Sequence, residues 1–307
     1  MKMFAMLAIF LLPAAANATD LATQPGASIW TAPSKYNGTF TSEAGNSTAP
    51  PATWYVAQWN IPQDLIGSKT AAPGSAWNIS NPYGRVGYLP GSGGYELAQS
   101  GATLPACGTE YDLFLEPTDN ANYPGYPRGI TSSGTLNTLS SIKLSAGINV
   151  TYEVVNSRCA TPNVNYVAYI ASLVLSNSVN KQTLFVQIDM RDSRSTQDTY
   201  RSWCPGYEND ASLAGQFCED TDTRVFGKPA LTPGTGRIYY SVDLYSELSS
   251  LIQAGHVKSG VSSTNPYDVS LDTDLSHWVV SGLYVGQTLQ GGAVATSQWD
   301  SIDLSAQ

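Results

Sequence analysis

Along most of this chain apolar and polar residues alternate with a period of two, in short runs separated by Gly, Pro, Asn and Ser. That pattern belongs to β-strands that bury one face. The clearest runs are 53–61, 109–116, 165–176 and 181–190; shorter ones lie at 77–79, 85–89, 95–98, 138–144, 149–155 and 237–242. Residues 177–180 form a hairpin-sized connection between two of the long runs. One stretch changes period. Over 243–254, Leu244, Leu248, Leu251 and Ile252 recur at helical spacing, Asp243 stands where an N-cap belongs and Gly255 follows the end. This predicts a single short amphipathic helix. At the C-terminus two β runs flank Gly291-Gly292, which predicts a hairpin. Strict alternation sets Trp278, Val280, Gly282, Tyr284 and Gly286 on one face and Val279, Leu283 and Val285 on the other. Residues 191–236 are mostly polar and read as irregular.

Many strands, one helix, no repeat and no clean linker predict an all-β antiparallel sandwich, built as one domain over residues 19–307. Residues 1–18 stand apart. Lys2, an apolar run over 3–16 and the small-residue site Ala16-Asn17-Ala18 have the form of a signal peptide. They predict secretion, extracellular or periplasmic, with Thr19 as the mature N-terminus. No later stretch approaches the roughly 20 apolar residues of a spanning helix, so no membrane insertion is expected. With 15 Lys and Arg against 24 Asp and Glu, a net charge of −9 and no basic patch, nucleic acid is excluded as a partner.

Four cysteines in an exported chain predict disulfides; four allow three pairings, among which the sequence does not choose. Cys204 and Cys218 flank a polar loop whose closure is worth roughly 3 kcal/mol, and that pairing leaves Cys107 with Cys159. Zinc is the alternative use of these thiols, disfavoured by the absence of a CxxC pair and by only two histidines, His256 and His277.

The densest chemistry is on the run 109–116. Glu110, Asp112, Phe114 and Glu116 share one face; Tyr111, Leu113 and Leu115 share the other. Three carboxylates on one face repel and resist burial, so that face opens to water, a cation or a ligand. A second signal is aromatic. Flat rings offer sugars a low-entropy surface for their C–H faces, and Trp59, Trp77, Tyr123 and Tyr126 lie on or beside turn-rich segments. The competing use of such rings is core packing. A third is oxygen-rich loops: Glu208, Asn209, Asp210, Glu219, Asp220 and Asp222, and the Asp272-x-Asp274-x-Ser276 spacing. Such a spacing suits a structural Ca²⁺, although Leu283 stands where the bidentate acid belongs. Solvated loops and turn caps use the same residues, and no other cofactor is indicated. Gly-x-Ser-x-Gly, HExxH, P-loop and dinucleotide fingerprints are absent.

Export, size, strand content and an acid-bearing strand together resemble the concanavalin A-like jelly-roll sandwiches, secreted lectins and glucanases among them, over residues 50–304. The run 109–116 is similar to the acid strand of the laminarinase-like retaining glycosidases. That resemblance implies Glu110 as nucleophile, Asp112 as its assistant and Glu116 as acid/base. The spacing departs from the pattern: Glu110 and Glu116 stand roughly 20 Å apart along a regular strand, against about 5 to 5.5 Å for a retaining pair. Glu110 and Asp112, roughly 6.6 Å apart in backbone rise, are better spaced. The resulting expectation is a carbohydrate-recognising sandwich that binds a polysaccharide through aromatic and polar loop residues. The alternatives are a glycoside hydrolase using these acids and a structural surface protein without a glycan ligand.

Overall fold

The computed structural model describes residues 18–31, 42–44, 52–66, 70–71, 77–104, 107–119, 125–160, 165–194, 201–203, 216–255 and 271–307. Two β-sheets pack face to face. Sheet A runs in spatial order β15 (Ile238–Asp243), β10 (Ile142–Val154), β17 (Val294–Ala306), β8 (Gly94–Ser100), β7 (Gly84–Leu89), β6 (Trp77–Ser80) and β5 (Thr70–Ala71), with β1 (Thr19–Ala22) also on β17. Sheet B runs β13 (Arg201–Trp203), β14 (Gln216–Asp222), β12 (Thr183–Asp192), β11 (Tyr166–Asn177), β16 (Trp278–Gln290), β9 (Glu110–Pro117), β4 (Trp54–Trp59), β2 (Ile29–Thr31) and β3 (Ser42–Ala44). Neighbours are antiparallel except β12 with β14 and β2 with β4. The expected all-β, jelly-roll-like antiparallel sandwich is what the chain forms.

Between the sheets lies one large core. Sheet A contributes Tyr95, Leu97, Ile148, Trp299 and Leu304; sheet B contributes Trp54, Leu113, Leu115, Leu173 and Trp278, each almost fully buried. The helix α1 (Tyr245–Gln253) packs on this core through Leu248 and Ile252. The Asp243 carboxylate accepts the backbone N–H of Tyr245 at 3.0 Å and of Ile142 at 3.1 Å, joining the helix start to β10. Among the described residues no helix is long and apolar enough to cross a membrane.

The C-terminal strands depart from the hairpin expectation. β16 pairs with β11 and β9 in sheet B; β17 pairs with β10, β8 and β1 in sheet A. Gly291-Gly292 therefore carries the chain from one sheet to the other. The site is crowded: Gly291 has φ 68°, and a Cβ on Gly292 would collide with the Asn156 amide oxygen. The predicted faces change as well. A register shift opposite Val174 and Leu175 puts Trp278 and Val280 on the same side as Leu283 and Val285, all in the core, and turns Tyr284 and Gly286 outward. A second shift, at Asp300 to Asp303 with Ser301 at φ 50°, brings Ile302 and Leu304 in beside Trp299.

Two other expectations change. The runs at 138–144 and 149–155 are one strand, β10, continuous through Gly147. The stretch 191–236 contains β13 and β14, because pairing of β14 with β12, and of β13 with β14, supplies what its polar sequence does not signal. The connection between β11 and β12 is the expected hairpin, its Asn177 side-chain oxygen accepting N–H of Val179 at 2.8 Å and of Asn180 at 3.0 Å. Cys107 and Cys159 are joined by a disulfide. Residues 1–17, Cys204, Glu208, Asn209, Asp210 and His256 lie outside the described residues; Cys218, Glu219, Asp220 and Asp222 fall on β14, described as a strand only.

Candidate functional site

The acid face of β9 points away from the core, onto the outer face of sheet B. Alternation alone requires this: Tyr111, Leu113 and Leu115 enter the core, so Glu110, Asp112, Phe114 and Glu116 leave it. Their neighbours come from strands far away in sequence. Asp112 lies opposite Trp59 on β4 and Thr288 on β16; Phe114 lies opposite Ala57 and Gly286; Glu116 lies opposite Tyr55; Glu110 lies opposite Gln290, which faces Tyr166 on β11. A Cβ on Gly286 would collide first with the Leu113 carbonyl and the Phe114 backbone, so that glycine lets β16 and β9 approach closely beside the ring. Phe114 packs edge-on against Tyr284 at 5.0 Å and lies 5.9 Å from Trp59. Tyr55, Ala57, Phe114, Tyr166, Ala168, Ile170 and Tyr284 form a small apolar cluster of their own. Trp59, at its edge, is 38% exposed.

Each acid has a distinct environment. The Tyr166 hydroxyl donates to the Glu110 carboxylate. Asp112 follows Glu110 along the face; burial first, then the Glu110 charge, push its acidity constant well above the usual carboxylate range. The Tyr55 hydroxyl donates to Glu116, yet burial dominates and raises that carboxyl to about 7. Burial and then Glu110 hold the Tyr166 phenol far above its ordinary range, so it serves as a neutral donor. The Arg194 guanidinium lies 3.5 Å from the Tyr166 ring centre and is paired with Asp192 at 2.5 Å. Beyond Glu116 the face opens into a cleft of about 640 Å³ lined by Glu116, Asp119, Arg128, Ser176, Phe185 and Ser281, among others.

The expected site residues thus divide. Glu110, Asp112, Glu116 and Trp59 share the outer face of sheet B. Tyr126 reaches it at the rim, its ring edge-on to Trp30 at 5.2 Å. Trp77 does not belong to it. It is 7% exposed, packs between Tyr88 and Tyr95 and donates its indole N–H to the Ala27 carbonyl at 3.0 Å, so it is a core residue of sheet A. Tyr123 lies outside the described residues. Asp272 and Asp274 cap a turn: Asp272 accepts from Asp274 N at 3.0 Å and Asn177 Nδ2 at 3.0 Å and contacts His277 Nδ1 at 2.7 Å, while Asp274 accepts from Ser276 N at 2.9 Å. With donors aimed at these oxygens, the pair acts as the cap of a turn. Among the described residues no three His, Cys, Asp or Glu side chains converge on a metal position. Tyr55, Tyr166, Thr288 and Arg194 were not among the expected residues; β11 is apolar on both faces, so its pattern names no site face.

No family model and no curated protein matches the sequence. Several solved structures are similar. A native family 12 xyloglucanase from Bacillus licheniformis shares 9% identity at a TM-score of 0.45, over 82% of this chain and 100% of that one. A family 11 xylanase from Neocallimastix patriciarum shares 9% identity at a TM-score of 0.34, over 78% and 91%. A family 11 carbohydrate-binding module from Clostridium thermocellum, in complex with a β-1,3-1,4-mixed-linked tetrasaccharide, shares 9% identity at 0.30, over 84% and 92%. The fold is a two-sheet, mostly antiparallel β-sandwich. Activity is argued below from the site.

Proposed function

We propose that this is an exported, non-catalytic protein that binds a polysaccharide on the outer face of sheet B. The observation that carries the reading is the half-exposed Trp59 ring set directly opposite Asp112, with Glu110 next along the same face. An indole face takes the C–H side of a sugar, and carboxyl oxygens beside it take the equatorial hydroxyls. A retaining site needs its two carboxyls about 5 to 5.5 Å apart, and an inverting one about 6.5 to 9.5 Å. Glu116 is too remote to complete either geometry, at roughly 13 Å of backbone rise from Asp112.

One observation favours hydrolysis as the second reading: Asp112 is raised well above its usual range and Glu116 to about 7, and a carboxyl that keeps its proton is what a general acid requires. One experiment separates the two. Mature wild type, Trp59→Ala and Glu110→Gln are run through native gels containing β-glucan, xylan or galactan, and released reducing ends are assayed in parallel. Binding by wild type, weakened about tenfold in Trp59→Ala as expected for a lost aromatic stack, with no reducing ends released, supports the binding reading. Reducing ends that appear with wild type and vanish with Glu110→Gln replace it by the hydrolase. Migration of wild type unaffected by every glycan removes both.

A further inference from the structure

The outward face of sheet A carries a row of polar side chains that crosses the strands. Asn149 on β10 lies opposite Gln298 on β17, Gln298 opposite Glu96 on β8, Glu96 opposite Gly87 on β7, and Gly87 opposite Asn78 on β6. Its members hold one another in place. Asn149 donates to Gln298 at 3.2 Å, Arg237 donates to the same oxygen at 3.4 Å, Gln298 donates to Glu96 at 3.4 Å, and Arg85 pairs with Glu96. Arg237 is anchored underneath by the buried Asp300 carboxylate. At this end stands Tyr239 on β15, opposite Gly147. A Cβ on Gly147 would meet the Tyr239 ring at 2.8 Å, so the ring rests over bare backbone, and it remains 64% exposed. At the other end is an open cleft of about 500 Å³ lined by Asn78, Ser80, Tyr83, Arg85, Ser100 and Thr296, among others.

We propose that this row is a second glycan-binding surface, which takes an extended, uncharged polysaccharide lying across the strands of sheet A with one sugar ring on Tyr239. The dimensions suit such a chain: five strand spacings of about 4.8 Å from β15 to β6 give roughly 24 Å, several sugar units long. The chemistry suits it too. An exposed ring supplies the apolar contact, and fixed amides and a carboxylate supply hydrogen bonds to hydroxyls at little ordering cost. Arg85 and Arg237 are each matched by an acid, so the row offers no net field for an anionic polymer. A protein partner would call for an apolar centre that the row lacks. The surface is independent of the outer face of sheet B and adds a second contact for a long polymer.

The test is affinity electrophoresis against the same soluble neutral polysaccharides, with wild type, Tyr239→Ala, Tyr152→Ala and Trp59→Ala. Tyr152, also on β10 and 52% exposed, is the control for loss of an exposed tyrosine off the row. Both tyrosines are solvent-facing, so unchanged melting curves are expected. Tyr239→Ala should weaken retention about tenfold, the size of one lost aromatic stack, while Tyr152→Ala leaves it unchanged. If Tyr239→Ala weakens retention and Trp59→Ala does not, the sheet A surface stands and the sheet B reading falls. If only Trp59→Ala weakens it, the sheet A surface falls. Equal losses in the two tyrosine variants, or no retention of wild type, also overturn the proposal.

Discussion

Replacing Cys107 and Cys159 together by alanine should lower the stability of the protein by about 4 kcal/mol, the chain-entropy value for a cross-link spanning 52 residues. The bond joins the segment leading into β9 to the segment leading into β11, two of the strands that carry the outer face of sheet B. Cys159 is also held from the other side. Its N–H donates to the Asn165 side-chain oxygen at 3.1 Å, its carbonyl accepts from the Asn165 amide at 2.8 Å, and Gly292 N–H shares the same oxygen at 3.1 Å. The cross-link therefore sits where β11 begins and where the chain passes from β16 to β17. Urea unfolding of the double variant beside wild type measures the effect. A midpoint that does not move would overturn the expectation that the bond stabilises the protein by restricting the unfolded chain.

Stability should also fall as pH rises from 4.5 to about 7, by up to about 3 kcal/mol on account of Glu116. In the unfolded chain this carboxyl has its ordinary value of 4.5; in the folded chain burial raises it to about 7. Between these values the folded protein holds a proton that the unfolded chain has released. Its stabilisation is complete below pH 4.5 and is lost as pH passes through 7. A difference of about 2.5 in pKa corresponds to roughly 3 kcal/mol. Asp112 is displaced in the same direction and adds to the trend. Glu116→Gln removes the titration while keeping an oxygen that accepts from Tyr55. Denaturation midpoints at pH 4, 6 and 8 should find variant and wild type alike at pH 4 and the variant clearly more stable at pH 8. Parallel decline of the two proteins would show that Glu116 is not the group responsible. The same proton matters for recognition: below pH 7 the group at the head of the 640 Å³ cleft can donate to a sugar hydroxyl, and above it can only accept.

What could be read in the sequence was whatever one strand or one helix decides alone. In β9 three acids and Phe114 alternate with Tyr111, Leu113 and Leu115; three carboxylates cannot enter an apolar core, so the sorting of the two faces follows from the strand itself. The helical spacing of Leu244, Leu248 and Ile252 located α1 for the same reason. Tertiary structure decided everything that depends on a partner distant in sequence. Gly291-Gly292 announced a turn, yet whether β16 and β17 pair with each other or with β11 and β10 is set by which edges are already occupied. A register shift moved Trp278 and Val280 of β16 onto the face of Leu283 and Val285, and a shift depends on the neighbouring strand as much as on the shifted one. Trp59 and Trp77 look alike as turn-adjacent indoles; the first stands at the rim of an outer face and the second under Tyr88 and Tyr95, because burial is a property of the layer a strand joins. The acids were legible, but Tyr55, Tyr166 and Thr288, which stand against those acids on the same face, reach them only through sheet pairing. Hydrophobic alternation is local and survives in one chain read in order, whereas the electrostatic environment of a carboxyl is built by whichever strands fold beside it.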